Sequence, residues 1–174
     1  MSAIDGVAAR SGESWQVRAA DAGDALMLAA LRWEFRAALG AAHEAEPVFR
    51  TRCATWMAER LADARWRCWV VESGGVVAGQ LWLQPIEKIP NPVAEPERHA
   101  YISNFFLRPV LRGQGAGSAL FATAMAWCRA SGVDAVILWP TPRSRPLYER
   151  HGFSATGGVM EAVVGSGRDL SGMA

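Results

Sequence analysis

The sequence predicts an α/β domain on a mixed sheet, and three observations carry that expectation. Apolar runs of strand character are interleaved with helically periodic stretches along the chain. Ser73-Gly74-Gly75 turns tightly between two strand-like runs, a hairpin signal and so an antiparallel pair. Residues 101–139 read strand, glycine-rich turn, helix, strand, which makes two parallel neighbours joined by a right-handed crossover.

Taken in order, residues 15–19 alternate enough for a first strand. Asp21 and Asp24 offer N-caps for a helix running to about residue 39, with Leu28, Leu31 and Phe35 on one face and Gly40 as its stop. Residues 41–47 connect to a second helix, 48–64, that carries Trp56, Met57 and Leu61. The hairpin strands are 66–72 and 76–84. Four prolines within 85–98 predict irregular structure through most of that stretch, and a loop just before the central strand is often part of a site. Residues 101–107 form the central strand, and the helix after the glycine turn spans 115–130, closed by Ser131-Gly132. The near-continuous apolar run 133–139 suits a strand covered on both faces. Residues 141–144 turn into a short helix, 146–151, with Gly152 as its C-cap, and 153–163 are expected to hold one or two terminal strands. The expected organisation is one domain over 15–164 between flexible tails, 1–14 and 165–174.

A chain of 174 residues, 51% hydrophobic and 20% charged, suits one globular domain. No stretch approaches the roughly 18 to 20 apolar residues needed to cross a bilayer, and residues 1–14 lack the basic-then-apolar order of a secretory signal. A net charge of +1, with Lys88 the only lysine, gives no reason to expect nucleic acid or an anionic membrane as partner. Cys53, Cys68 and Cys128 are odd in number and lack metal spacing, which predicts reduced thiols, a cytoplasmic setting and no metal.

The turn Arg112-Gly113-Gln114-Gly115-Ala116-Gly117-Ser118 feeds a helix N-terminus, where free N–H groups and the helix dipole favour an anion. It lacks the lysine of the Walker A pattern, and the dinucleotide pattern that begins at Gly113 and Gly115 finds Ser118 in its third glycine place. Arg112-x-x-Gly115-x-Gly117 follows a strand ending Leu107-x-Pro109, and about thirty residues later comes Pro146-Leu147-Tyr148-Glu149-Arg150-His151-Gly152-Phe153. Together these motifs resemble the GCN5-related N-acetyltransferases, the GNAT superfamily, over roughly residues 17–163.

The resemblance implies a GNAT fold, a mostly antiparallel sheet whose two parallel middle strands splay apart and hold acetyl-CoA as acyl donor. Its pantetheine arm would pair with main-chain groups of Phe105, Phe106 and Leu107, and its pyrophosphate would sit on the amides of Gly113, Gln114, Gly115, Ala116, Gly117 and Ser118, with Arg112 as a further contact. A main-chain N–H of residues 105–107 would steady the oxyanion. Tyr148 occupies the place of the family's general acid, where a phenol is protonated at neutral pH and can donate to the departing thiolate. Thr141 stands where many members have a cofactor-binding asparagine, and Ser144 fills the small-residue place four before the tyrosine.

The reaction so implied is acetyl transfer to a primary amine of a small molecule, or to an exposed amino group of a peptide or protein, by direct attack in a ternary complex. Another acyl-CoA donor, or a non-catalytic acyl-CoA sensor, is the alternative, because fold alone does not decide function. A homodimer is common in the family. No motif marks the base: Glu34, Glu44, Glu46, Glu95, Glu97 and His99 all lie where members bring residues toward the acceptor, and each also reads as surface charge. Ser103 and Asn104 are placed to hold a water that carries the proton away. Trp33 beside Glu34, with Trp56 and Trp82, are candidate walls of the acceptor side, and the absence of an acidic run disfavours a polycationic acceptor.

Overall fold

The computed structural model describes residues 15–155. Its order is β1 (Trp15–Ala19), a 3-10 turn (Ala22–Asp24), α1 (Ala25–Ala37), α2 (Glu46–Ala62), β2 (Arg67–Ser73), β3 (Val76–Glu87), β4 (Arg98–Leu107), a second 3-10 turn (Pro109–Leu111), α3 (Ala116–Ala130), β5 (Ala135–Leu138) and α4 (Arg145–Arg150). The five strands lie in one sheet in sequence order, with β1 to β4 antiparallel and β5 beside β4 as the parallel step of a mixed sheet. Two compact units meet in the chain at Ile137 and Leu138, so that α4 belongs to the second. The expected terminal strands beyond residue 155 and both expected tails lie outside the described residues.

Strand alternation sorts the first unit's core onto two faces of the sheet. Cys68, Val70, Trp82 and Phe106 pack with Ala25, Leu28 and Leu31 of α1 and with Ala54 and Met57 of α2. The other face takes α3, where Trp69 meets Trp127 at 5.9 Å between ring centroids and Phe105 meets Phe121 at 6.3 Å. Gln80 is fully buried yet satisfied: its amide donates to the Leu28 carbonyl (3.2 Å) and its oxygen accepts from the Trp82 indole (2.8 Å). One glutamine thereby ties α1 to β3 and sets the angle of a tryptophan.

Four local expectations need correction. Asp24 does not cap α1: its carboxylate receives both terminal nitrogens of Arg18 at 2.8 Å and the Asp21 amide at 3.0 Å, while Asp21 caps the 3-10 turn through Gly23 (2.7 Å). β3 runs on to Glu87 through Pro85, which pairs with Ala100. β2 ends opposite Leu83, so Pro85 sits where β3 has one free edge and a missing N–H breaks no ladder there. α2 starts at Glu46, two residues before the expected start, because Pro47 in the first turn has the right φ and needs no amide partner. β5 is shorter than the apolar run and only half-buried, as befits the last strand of the sheet among the described residues.

Candidate active site

The glycine turn is built by backbone conformation. The Arg108 amide closes β4 onto the Ala78 carbonyl (2.9 Å), and the chain passes through the 3-10 turn to Gly113 and Gly115, at φ +77° and +83°. A Cβ on either glycine would meet nothing within 4 Å, so the left-handed φ demands glycine while the space above the turn stays open. Gly117 is needed for a different reason: a Cβ there would lie 3.0 Å from Leu107 Cδ1, and its absence lets α3 press against β4. This is the close-packing role that the dinucleotide pattern assigns to its third glycine, performed here one residue earlier than Ser118. The first helical bond of α3 runs from the Ala119 amide to the Gly115 carbonyl (3.0 Å), so the amides of Ala116, Gly117 and Ser118 precede any helical acceptor. No acidic residue stands in that first turn.

The neighbouring side chains brace the turn. Arg112 Nε donates to the Leu107 carbonyl (3.0 Å) with its guanidinium 5.8 Å over the Phe106 ring, and Gln114 Nε2 donates to the Val110 carbonyl (2.8 Å). Phe106 is buried and packs on Phe35 at 5.5 Å, Phe105 is half-buried against Phe121, and the main-chain groups of both stay in the strand.

A β-bulge then shapes β4. Trp82 pairs with Asn104 but Leu83 pairs with Ile102, leaving Ser103 as the extra residue. At this bulge opens a cavity of about 270 Å³ whose lining includes Arg32, Phe49, Cys53, Trp56, Trp66, Trp82, Ser103 and Asn104. Its three tryptophans pack on one another in a cluster that forms one wall, with centroids 5.5 Å apart for Trp56 and Trp66, 6.0 Å for Trp56 and Trp82, and 6.2 Å for Trp66 and Trp82. A second hollow of about 260 Å³ shares Arg32, Phe49 and Arg52 with the first and adds Trp33, Arg36, His43 and Glu44.

Sequence reasoning missed Arg32. Its Nη1 donates to Asn104 Oδ1 (3.3 Å), and burial followed by the nearby Arg36 holds its pKa below the usual guanidinium value. The available signal was its place four residues after Leu28 and three before Phe35, a cation on the apolar face of α1.

Most of the carboxylates nominated as base are engaged. Glu34 takes a two-pronged pair from Arg108 (3.0 and 2.6 Å), Glu44 pairs with Arg52 (2.6 Å) and Glu46 with Arg50 (3.3 Å). Glu95 accepts from Asn91 (2.6 Å) and Lys88 (3.2 Å), while His99 faces Asp134 at 3.2 Å. The Glu97 carbonyl accepts from the Lys88 amide (2.9 Å). None of these groups lines the tryptophan cavity.

In the second unit, Thr141 and Ser144 close a turn ahead of α4. Their hydroxyls lie 3.0 Å apart, and the Thr141 amide donates to Ser144 Oγ (2.9 Å). Tyr148 is buried and its ring stands 5.9 Å from Phe153. Burial outweighs a hydrogen bond with Ser144 and pushes the phenol up to about 12, so it stays protonated through the neutral range. Gly152 at φ +85° ends the helix, with the Phe153 amide turning back to the Tyr148 carbonyl (3.1 Å). Among the described residues no group of three His, Cys, Asp or Glu is gathered to hold a metal, and no helix is long and apolar enough to cross a membrane.

The sequence model of the acetyltransferase (GNAT) family matches residues 25–153, from the start of α1 to the end of the Tyr148 motif. The chain belongs to the GNAT family. No curated protein matches it significantly. Among solved structures this GNAT chain is similar to a GCN5-related N-acetyltransferase from Ralstonia eutropha JMP134, at 27% identity and a TM-score of 0.72 over 87% of this chain and 99% of that one. A predicted acetyltransferase from Clostridium acetobutylicum, solved with acetyl-CoA, shares 19% identity and a TM-score of 0.73 over 86% and 96% of the two chains. Glucosamine-6-phosphate N-acetyltransferase from Arabidopsis thaliana shares 19% identity and a TM-score of 0.61 over 88% and 100%. The last two likenesses speak for the GNAT fold alone, and the mixed sheet flanked by helices is the one these neighbours have.

Proposed function

We propose that the chain is an acetyl-CoA-dependent N-acetyltransferase acting on a primary amine of a small molecule or on an exposed amino group. The observation that carries this reading is the turn at Gly113 and Gly115: open space above two left-handed glycines, and amides ahead of the first helical bond of α3. The residues present fit a pyrophosphate there. Acetyl-CoA supplies a thioester whose C–S bond breaks as the amine's N–C bond forms. Residues 113–118 bind its phosphates through main-chain N–H groups, and Phe105, Phe106 and Leu107 offer main-chain groups to its arm.

Tyr148 donates the proton that the departing sulfur takes up, a role assigned by its place in the motif and supported by a phenol that stays protonated at neutral pH. Thr141 and Ser144 hold the turn that leads into its helix, and the Ser144 hydrogen bond orients its hydroxyl. The amine attacks as the free base, and with most nominated carboxylates tied into ion pairs, its proton leaves through water held at Ser103 and Asn104 on the bulge. The three free thiols accord with a cytoplasmic setting.

Calorimetric titration with acetyl-CoA, CoA and succinyl-CoA tests the reading, followed by thiol release in the presence of mixed amines. Selective binding of the acetyl form with amine-dependent thiol release is the expected result. Absence of binding to any CoA removes the reading.

A further inference from the structure

Arg32 on α1 is a partly buried cation. Among the described residues it has no carboxylate partner; its contacts are the neutral Asn104 oxygen at 3.3 Å and the Phe35 ring at 5.8 Å. A partly buried cation without a counter-charge is costly unless it serves a ligand. Arg36, one helical turn further, likewise has no carboxylate partner among the described residues and lines the hollow that Arg32 shares with the tryptophan cavity. Glu44, the carboxylate in that hollow's lining, is held by Arg52 at 2.6 Å. The tryptophan-walled cavity has no acidic residue in its lining, and the Trp56 face already carries the Arg60 guanidinium at 5.1 Å. Exposed aromatic faces attract cations, whereas here the arginines around them repel one.

We propose that the two hollows form a single bipartite acceptor site for a flat, apolar amine that also carries an anionic group, its ring laid against the Trp56 and Trp66 side of the tryptophan cluster and its carboxylate or phosphate on Arg32. The ring gains from burial and from stacking on the exposed face of the cluster. The anion gains the charge-assisted bonds that a guanidinium fork offers, and the Asn104 contact holds that fork against the bulge of β4. Ser103, the extra residue of the bulge, lies in the lining of the same cavity, where the amine is carried. The word acceptor rests on the transferase reading above; the ring-and-anion site does not.

Matched pairs read the inference without any CoA. The full-length protein is titrated calorimetrically with phenylalanine against phenethylamine, tryptophan against tryptamine, and O-phosphotyramine against tyramine. The expected result is affinity about tenfold or more higher for the anionic member of at least one pair, with the carboxylate and phosphate arms deciding which anion Arg32 takes. In Arg32→Gln that preference collapses to about unity, and in Arg36→Gln, which keeps the Arg32 contacts and serves if the first variant misfolds, it falls by about threefold at low salt. Equal affinity across all three pairs, or a preference that survives both variants, overturns the proposal. Thiol release with acetyl-CoA then separates the two readings: turnover of amines with no bias toward the anionic members sinks the inference alone, while anion-dependent binding with no binding of acetyl-CoA sinks the transferase reading alone.

Discussion

Tyr148 shows how one residue's environment narrows its chemistry. A phenol pushed up to about 12 by burial remains a proton donor across any practical assay range, and the same shift makes it a poor base. Tyr148→Phe is therefore expected to lower kcat by about a hundredfold or more while acetyl-CoA affinity changes by less than about threefold. The wild-type kcat profile should show no alkaline limb from this group below about pH 10, because its folded value lies above the ordinary phenol value. Equal losses in kcat and in affinity would reassign Tyr148 as a cofactor-holding residue. Cys68 and Cys128 lie in the same regime, since burial raises both thiols, Cys128 to about 11.

At the scale of elements, the turn between β4 and α3 depends on two glycines for two different reasons. Gly115 sits at φ +83° over open space, so Gly115→Ala costs backbone strain of about 1–2 kcal/mol and no collision. Gly117→Ala puts a methyl 3.0 Å from Leu107 and is expected to cost about 1–3 kcal/mol by prying α3 from β4. Denaturant unfolding of both variants, with acetyl-CoA titration of each, checks the distinction. Gly115→Glu should abolish CoA binding while unfolding much like Gly115→Ala, because its added carboxylate projects into the space assigned to the pyrophosphate. If Gly115→Glu binds CoA normally, the phosphate does not sit on this turn.

For the whole molecule, Arg18 on β1 joins strands and helix by pairing with Glu72 of β2 (2.8 Å) and with Asp24 at the head of α1. The Arg18 pair is the largest influence on Asp24 and holds its carboxyl below the usual value. A depressed carboxylate stabilises the fold above its unfolded value, about 3.9, and that stability drains away as pH falls through the lower folded value. Asp24→Asn should therefore cost about 1–2 kcal/mol at pH 7, with the gap to wild type closing below about pH 4 in urea unfolding series. A gap that stays constant as pH falls from 7 through that lower folded value would mean that shape, not charge, is what Asp24 contributes. Much of this architecture was legible in the chain: the hairpin at Gly74-Gly75, the strand, turn and helix from Tyr101 onward, and the Tyr148 motif are local patterns whose φ angles and periodicity the residues dictate. The course of β3 past Pro85, the bulge at Ser103 and the pairing of Glu34 with Arg108 were not legible, because each depends on which strand ends where or on a partner seventy-four residues away. The sequence by itself determined the GNAT motifs and the glycine turn ahead of α3, since glycine conformation and helix termini are local properties. Only the tertiary structure decided the tryptophan-lined cavity, where Arg32, Trp56, Trp82 and Ser103 come from four different elements, because burial, charge balance and cavity shape are properties of what the fold brings together.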